Sequence, residues 1–137
     1  MKKKTIFMLD ATAILGAAML DVVNVPVVNE PTVVYAATTT QKTALRQAKS
    51  YYKNMHMSKQ GIFDQLTSDF DQYSEEDAQY AIDNSNFDYN KAALKQAKSY
   101  QKNMAMSPDA IYDQLISENG EKFTEQEAQY AIDNLDK

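Results

Sequence analysis

The chain has 137 residues, a formal net charge of −5 and an isoelectric point of about 4.8, so it lacks the basic surface on which most affinity for nucleic acid depends. It contains no cysteine and one histidine, His56, which excludes disulfides, thiolate zinc sites, cysteine nucleophiles and lipid attachment to cysteine. Three glycines and three prolines, among many Ala, Gln, Lys and Met residues, predict an all-α fold.

Residues 1–36 have the pattern of an export signal. A basic start is followed by an apolar run from Ala11 to Leu20 and by a small-residue cleavage pattern that ends at Ala36. Aspartates bracket the apolar run, and each would cost roughly 2.5–3.5 kcal/mol at the centre of a bilayer. A cleaved signal is therefore favoured over a membrane span, and the protein is expected to be secreted or located at the cell surface.

Most of the remaining chain consists of two copies of one sequence pattern. After a polar lead-in, residues 37–43, which is expected to hold no structure of its own, the copies span 44–84 and 93–134 with a short linker, 85–92. The second copy follows the first at a spacing of 49 residues (44 to 93) and then of 50 (78 to 128), because one residue is inserted before the last block. Such a repeat predicts two copies of one structural unit.

Each copy contains three helical blocks. The first block is amphipathic, with apolar residues on one side and lysine or arginine on the other. The second and third blocks begin at residues that cap helices, which are Ser58, Ser107, Ser74 and Thr124. The inward residues of the first block are Ala44, Leu45, Ala48, Tyr51, Tyr52 and Met55, matched by Ala93, Leu94, Ala97, Tyr100 and Met104. We therefore predict two tandem three-helix repeats that resemble helix-turn-helix units, held in a fixed arrangement by the aromatic residues of the linker.

The third helix of each copy carries the candidate binding face. If Ala78, Ala81 and Ile82 point inward, Tyr80 projects from nearly the opposite side, among polar and acidic residues. An aromatic ring among carboxylates is typical of a face that binds a basic, partly apolar protein. The alternative is that the tyrosines fold back onto their own bundle or onto the neighbouring repeat. The candidate residues are Glu76, Gln79, Tyr80 and Asp83 in the first copy and Gln126, Gln129, Tyr130 and Asp133 in the second.

Other functions have little support in the sequence. A DNA-binding role is disfavoured because the third helix, which would enter the groove, is acidic at Glu75, Glu76 and Asp77. The basic first helices are more typical of solvated faces. No nucleophile and base recur in both copies, and His56 is replaced by Ala105. We therefore expect no enzyme activity, cofactor, metal or nucleic-acid partner.

The three blocks, taken in the order in which they occur, resemble the repeat of the Ltp-type host cell surface-exposed lipoproteins. The pattern runs from Ala-Leu-x-Gln-Ala-Lys-Ser-Tyr through Met-x-Met-Ser and Ile-x-Asp-Gln-Leu to Ala-Gln-Tyr-Ala-Ile-Asp-Asn, and occurs twice, over Ala44–Asn84 and Ala93–Asn134. This resemblance implies tandem three-helix bundles on the outside of a Gram-positive cell. Phage-encoded members act in superinfection exclusion by blocking the injection of another phage's DNA, with the phage tape measure protein as the implied target.

The family's lipid anchor is missing from these 137 residues. Its members are tethered by a lipidated cysteine, whereas this sequence has none. The protein is then expected to be released, associated with the cell wall, or held at the membrane by an uncleaved leader, and untethered molecules lose local concentration there. Two functions stay open, exclusion through contact with a basic phage protein and a secreted host surface or cell-wall module unrelated to phage. The oligomeric state also stays open.

Overall fold

The structure, a computed structural model, describes residues 36–137, so the predicted export signal lies outside this range apart from Ala36. Six α-helices and no strands occur in the described residues, which confirms the all-α prediction. The helices are α1 (Thr39–Met55), α2 (Lys59–Leu66), α3 (Glu75–Asp83), α4 (Tyr89–Met104), α5 (Pro108–Ile116) and α6 (Glu125–Asp133). Residues 38–137 form one compact unit. In this range no helix is long and apolar enough to cross a bilayer.

Each repeat is a bundle of three helices around its own core. The first helix packs along the third, and the second helix packs against both. Alanines at the crossing of α1 and α3 let the two backbones approach closely, and the fully buried Ile62 and Leu66 of α2 fill the remaining space. Each such branched side chain contributes about 1.5–3 kcal/mol through burial. In the second repeat Ile111 and Leu115 occupy the same places.

The first helix begins earlier than the sequence patterns predicted. Residues 37–43 were expected to hold no structure, but α1 starts at Thr39. The Thr38 hydroxyl accepts a hydrogen bond from the Gln41 amide at 3.0 Å, and the Gln41 side chain accepts one from the Thr38 amide at 3.0 Å. This capping box satisfies two backbone donors that the helix cannot satisfy itself. The predicted linker 85–92 is shortened in the same way, because α4 starts at Tyr89 with Asp88 as its cap.

The predicted caps of the other helices are present. Ser58 accepts from the Gly61 amide at 2.9 Å, and Ser107 has the same role with Pro108 at the first helical position. Thr124 and Glu127 form a reciprocal capping box. Ser74 accepts from the Asp77 amide, but the Asp77 side chain does not accept from the Ser74 amide in return. The side chain of Asp77 is shorter than that of Glu127, which makes the reciprocal bond in the second copy.

Two methionines assigned to the inward side of the first helices are exposed. Met55 has 55% and Met104 62% of its surface accessible. Each lies in the last turn of its helix, directly before a residue in the left-handed conformation, His56 (φ 52°) or Ala105 (φ 53°). Each helix ends there, and its last turn leaves the methionine side chain exposed to solvent.

An aromatic cluster joins the two repeats. Tyr52 of α1 stacks on Phe87 of the linker, with ring centroids 4.3 Å apart, and Tyr89 meets both rings edge-on at 6.1 and 6.0 Å. The Tyr52 hydroxyl donates to the Asp88 backbone oxygen at 2.8 Å. Its side chain packs against the cores of both repeats. The linker aromatics thus pack between the repeats, as the prediction of a fixed arrangement requires.

Polar contacts extend this joint. The Gln96 side chain of α4, in the second repeat, donates to the Met55 backbone oxygen of the first repeat at 2.9 Å. The buried Ser58 hydroxyl donates to the backbone oxygen of Glu121, in the loop between α5 and α6. Ser58 thus caps α2 and also binds the second repeat. One side chain therefore couples a local helix start to the packing of the whole unit.

An ion pair between Lys122 and Asp64 completes the joint. Partial burial alone would raise the pKa of Asp64, but hydrogen bonds from Lys122 and Gln60 outweigh that effect and hold the pKa below its ordinary value. The two side chains are 32% and 39% exposed. The pair is therefore screened by solvent and contributes no more than about 1 kcal/mol.

Candidate functional site

The exposed side of α3 forms the first half of the candidate site. The helix buries Ala78, Ala81 and Ile82, as predicted. Tyr80 follows Ala78 by two residues, or about 200° of helical rotation, so its ring leaves the core. Its side chain is half-buried, whereas Gln79 and Asp83 are exposed. Glu76, one turn before Tyr80, is also exposed.

The exposed side of α6 repeats this arrangement. Ala128 and Ala131 are buried, and the four predicted residues Gln126, Gln129, Tyr130 and Asp133 are all exposed. Tyr130 has 39% of its surface accessible. The structure brings these four side chains together along an open depression of about 680 Å³ that also includes Asn90 at the start of α4.

Hydrogen bonds fix the polar residues of both faces in the same way. Gln79 donates to the Asp83 carboxylate at 2.8 Å, and Gln129 donates to Asp133 at 2.8 Å. The amides bind one carboxylate oxygen each, which leaves the other oxygen for a further donor. Each of the two faces therefore presents one aromatic ring beside one oriented carboxylate.

The tyrosines do not fold back onto the cores. Among the described residues, the apolar side chains that pack against the two cores include neither Tyr80 nor Tyr130. Their backbone oxygens accept hydrogen bonds at 2.8 Å from Asn84 and Asn134, which close the last turns of α3 and α6. Both tyrosines therefore belong to helices whose two ends are capped.

The third helices are acidic at their starts. The first turn of α3 carries Glu75, Glu76 and Asp77, and that of α6 carries Glu125 and Glu127. Negative charge is stabilising at a helix N-terminus, so these residues also support the helices that bear them. A phosphate backbone would be repelled by this surface.

One exposed aromatic residue was missed by the sequence analysis. Phe70, in the loop between α2 and α3, is 83% exposed and lies between Asp69 and Asp71. Two features of the sequence could have indicated its exposure. Phe70 lies between two acidic residues in a predicted loop, and the second copy has the polar Asn119 at the matching position. Helical periodicity does not apply to loops, so the pattern gave no expectation for its exposure.

The part of the chain that the structure describes contains no cluster of side chains that could bind a metal ion. Within residues 36–137 no three His, Asp or Glu side chains come close enough to share a metal ion. His56 lies at the end of α1, in the left-handed conformation. Its counterpart Ala105 has the same backbone conformation without an imidazole, so the turn does not depend on histidine chemistry.

Comparison with known proteins identifies the family. The sequence profile of the host cell surface-exposed lipoproteins of the Ltp type matches residues 39–84 and 88–135. The chain belongs to this family. The two matched ranges begin at the start of α1 and at the cap of α4, so each family repeat corresponds to one three-helix bundle.

A solved structure of the same family is closely similar. It is Ltp, a superinfection exclusion protein from the Streptococcus thermophilus temperate phage TP-J34, which is 48% identical to this chain. The match has a TM-score of 0.68 and covers 74% of this chain and 100% of that one. No curated protein sequence matches this chain.

Proposed function

We propose that the protein acts at the cell surface in superinfection exclusion, by binding a basic segment of an incoming phage's DNA-injection machinery. The observation that carries this proposal is the 48% identity to Ltp of phage TP-J34, a superinfection exclusion protein, over the whole length of that structure. The tape measure protein is the partner that the family resemblance implies. The proposal assigns the contact to the exposed faces of α3 and α6.

The chemistry of these faces supports a basic protein partner. The Asp83 and Asp133 carboxylates are exposed and held by neighbouring glutamines, and Tyr80 and Tyr130 supply apolar area beside them. Complementary charge speeds the encounter of two proteins, and aromatic residues often supply much of the binding energy. Because exposed charges are screened over about 8 Å at physiological ionic strength, binding should weaken as salt is added.

The duplication supports binding to an extended partner. Two equivalent faces on one unit make the second contact intramolecular once the first has formed, provided that the partner can reach both. Because Tyr52 stacks on Phe87 and packs against both cores, we expect the two faces to keep a fixed separation. A long segment with repeated basic residues would meet this geometry.

A phage challenge tests the proposal. A sensitive strain expressing residues 1–137 is infected, and phage adsorption and DNA entry are scored separately. Normal adsorption with reduced DNA entry is the expected result. Unchanged entry across several phages would contradict the proposal and favour a secreted host surface or cell-wall module unrelated to phage.

Charge variants then test the two faces. Asp83→Asn with Asp133→Asn removes two charges but keeps an acceptor for each glutamine, so the helices should remain intact. The matched control is Asp113→Asn with Glu118→Gln, which removes two exposed charges elsewhere. We expect loss of exclusion for the first pair and not for the second. Equal exclusion by both pairs would show that these faces do not make the contact.

Aromatic variants test the same faces independently of charge. Tyr80→Ala with Tyr130→Ala should restore DNA entry if the rings supply apolar contact area. Thermal unfolding of the purified variant confirms that the fold persists. Retained exclusion by a folded variant would contradict the assigned role of the rings.

A further inference from the structure

Phe70 is the most exposed large apolar side chain among the described residues, at 83%, followed by Met104 at 62%. Single apolar side chains are common on protein surfaces. Phe70 differs because it projects from a loop tip rather than lying along a helix, and because the residues on both sides of it are acidic. Folding within this chain does not account for such a position.

The loop that carries Phe70 is held rigidly. The Gln72 amide donates to the Ser68 oxygen at 2.8 Å, and the Tyr73 amide donates to the Leu66 oxygen at 2.9 Å. The Gln72 side chain also donates to the Asp69 backbone oxygen at 2.8 Å. A loop already held in one conformation loses little entropy when it binds, which favours affinity.

A contact from α1 fixes the base of the same loop. The Tyr51 hydroxyl donates to one carboxylate oxygen of Asp71 at 2.5 Å. Partial burial, together with this bond to Asp71, raises the pKa of Tyr51. The residue next to Phe70 is thereby tied to the body of the first repeat.

The matching loop of the second repeat has a different role. It carries Asn119 and Gly120 at its tip, and its next residues make the joint, since Glu121 accepts from Ser58 and Lys122 pairs with Asp64. The second-repeat loop therefore binds the other repeat. The first-repeat loop has no matching hydrogen bond or ion pair with the other repeat among the described residues, and it carries the exposed phenylalanine instead.

We propose that Phe70 is the apolar anchor with which the first repeat binds a protein partner that has an apolar pocket bordered by lysine or arginine. The acidic neighbours Asp69 and Asp71 decide the chemistry of the border, because opposite charges across an interface favour the correct partner and its orientation. Aromatic anchors in pockets are the usual centres of binding energy. The inference rests on the proposed function for the identity of this partner as the basic phage protein.

A second copy of the chain fits this loop less well than such a partner. The second-repeat loop contacts the first repeat at Ser58, through the Glu121 backbone oxygen, and at Asp64, through Lys122. In the first-repeat loop Gln72 replaces Lys122, so this loop could not form the ion pair of the joint with the matching Asp113 of a second copy.

A bilayer is likewise a poor partner for this loop. Insertion of Phe70 would bring the two flanking carboxylates to the surface of the membrane. Anionic headgroups repel carboxylates, and burying a carboxylate in the hydrocarbon costs roughly 2.5–3.5 kcal/mol. The acidic neighbours therefore favour a basic protein surface.

Calorimetric titration of the full chain with two peptides tests the anchor. One probe is an amphipathic peptide of lysine and leucine, and the other contains the same number of lysines without leucine. Phe70→Asn places the second-repeat residue in the first loop and leaves the net charge unchanged. We expect the variant to bind the lysine–leucine peptide roughly tenfold more weakly and the all-lysine peptide equally well, since only an apolar contact is lost.

Met104→Gln is the matched control, because it removes another exposed apolar side chain and should change neither affinity. Unchanged binding of the lysine–leucine peptide by Phe70→Asn, or an equal loss for both peptides, would overturn the anchor. So would dimerisation of the wild-type chain, or its binding to anionic vesicles, if either is lost in Phe70→Asn. Matching thermal unfolding curves show that the variant is folded.

The phage challenge separates failure of the anchor from failure of the proposed function. If wild-type protein leaves DNA entry unchanged, the proposed function fails, while the peptide titration still tests Phe70 directly. If wild-type protein blocks entry and Phe70→Asn blocks it fully, the anchor is overturned while the proposed function stands. Reduced blocking by Phe70→Asn, together with peptide selectivity, supports both.

Discussion

The rings of Tyr52 and Phe87 lie nearly parallel, with an interplanar angle of 6° and centroids 4.3 Å apart. Tyr52 belongs to the last turns of α1, and Phe87 belongs to the linker that leads into α4. Because Tyr52 packs against both cores, this stack is a main contact between the two bundles. We therefore expect it to contribute to the separation of the faces on α3 and α6.

Tyr52→Ala is expected to uncouple the two repeats. The change removes the stack on Phe87 and the hydroxyl bond to Asp88, and it should lower the free energy of unfolding by about 1–3 kcal/mol. In 15N relaxation measurements the repeats should then show different rotational correlation times. The control is Tyr112→Ala, which removes a half-buried ring packed against the second core only. A single shared correlation time in Tyr52→Ala would contradict the role of the stack.

Local patterns predicted much of the fold. Apolar residues at helical spacing indicated Ala78, Ala81 and Ile82 as a buried face, and the direction of Tyr80 followed from that geometry. Helix caps were readable because a cap and its amide lie three residues apart. The same rule applied at Thr38 and Gln41, but the polar composition of that segment led to a wrong prediction of no structure.

The joint was not predictable in detail, since it depends on contacts between distant residues. Lys122 and Asp64 are 58 positions apart, and neither the spacing nor the repeat pattern indicates the pair, because Gln72 replaces the lysine in the first copy. Tyr52 was assigned to its own core, and its packing on the second repeat depends on the path of the linker. The exposure of Phe70 was missed for a related reason, since loop conformation sets it.

Tyr100 should make stability depend on pH in the alkaline range. Burial and the hydrogen bond to Glu121 raise the pKa of Tyr100 to about 12, above its ordinary value of 10.0. Since the protonated form is favoured in the folded state, this contribution is complete below pH 10 and is lost as the pH rises through about 12. After a discount for partial exposure, it is about 1 kcal/mol.

Urea unfolding of wild type and Tyr100→Phe at several pH values measures this effect. The difference in unfolding free energy should be largest below pH 10 and should shrink as the pH approaches 12. Glu121→Gln removes the charged acceptor, so the absorbance of the Tyr100 phenolate should appear at lower pH. A difference that stays constant across this range would refute the linkage.

Tyr89 and Tyr52 offer a matched pair of hydroxyl deletions in one aromatic cluster. The Tyr89 hydroxyl is buried and makes no hydrogen bond of ordinary geometry with the described residues, although the Ser85 side chain lies near it, whereas the Tyr52 hydroxyl donates to the Asp88 backbone oxygen. Burial raises the pKa of both groups. Removing an unpaired buried hydroxyl relieves a desolvation cost, while removing a paired one leaves an acceptor without its donor.

Tyr89→Phe should therefore keep the unfolding free energy or raise it by up to about 1 kcal/mol, whereas Tyr52→Phe should lower it by about 1 kcal/mol. Both rings remain, so stacking is retained in each variant. Urea unfolding at neutral pH measures the two changes. The assignment fails if Tyr89→Phe is the more destabilising of the two.

Ala105 is expected to be a site where glycine increases stability. It ends α4 with a φ of 53°, a left-handed conformation in which its Cβ crowds the backbone, and its side chain is exposed. Glycine adopts this conformation without the steric cost and is the usual residue after a helix. Allowing for the greater freedom of glycine in the unfolded chain, Ala105→Gly should raise the unfolding free energy by about 0.5–1 kcal/mol.

Ala110→Gly makes the same chemical change at an exposed position in the right-handed helix α5. There glycine gains no steric relief and only adds freedom to the unfolded chain, so stability should fall by up to about 1 kcal/mol. Thermal and urea unfolding of both variants beside wild type measure the two shifts. Opposite signs are the expected result, because the two alanines differ in backbone conformation, and a loss of stability in both variants would show that the left-handed cap at Ala105 carries no strain.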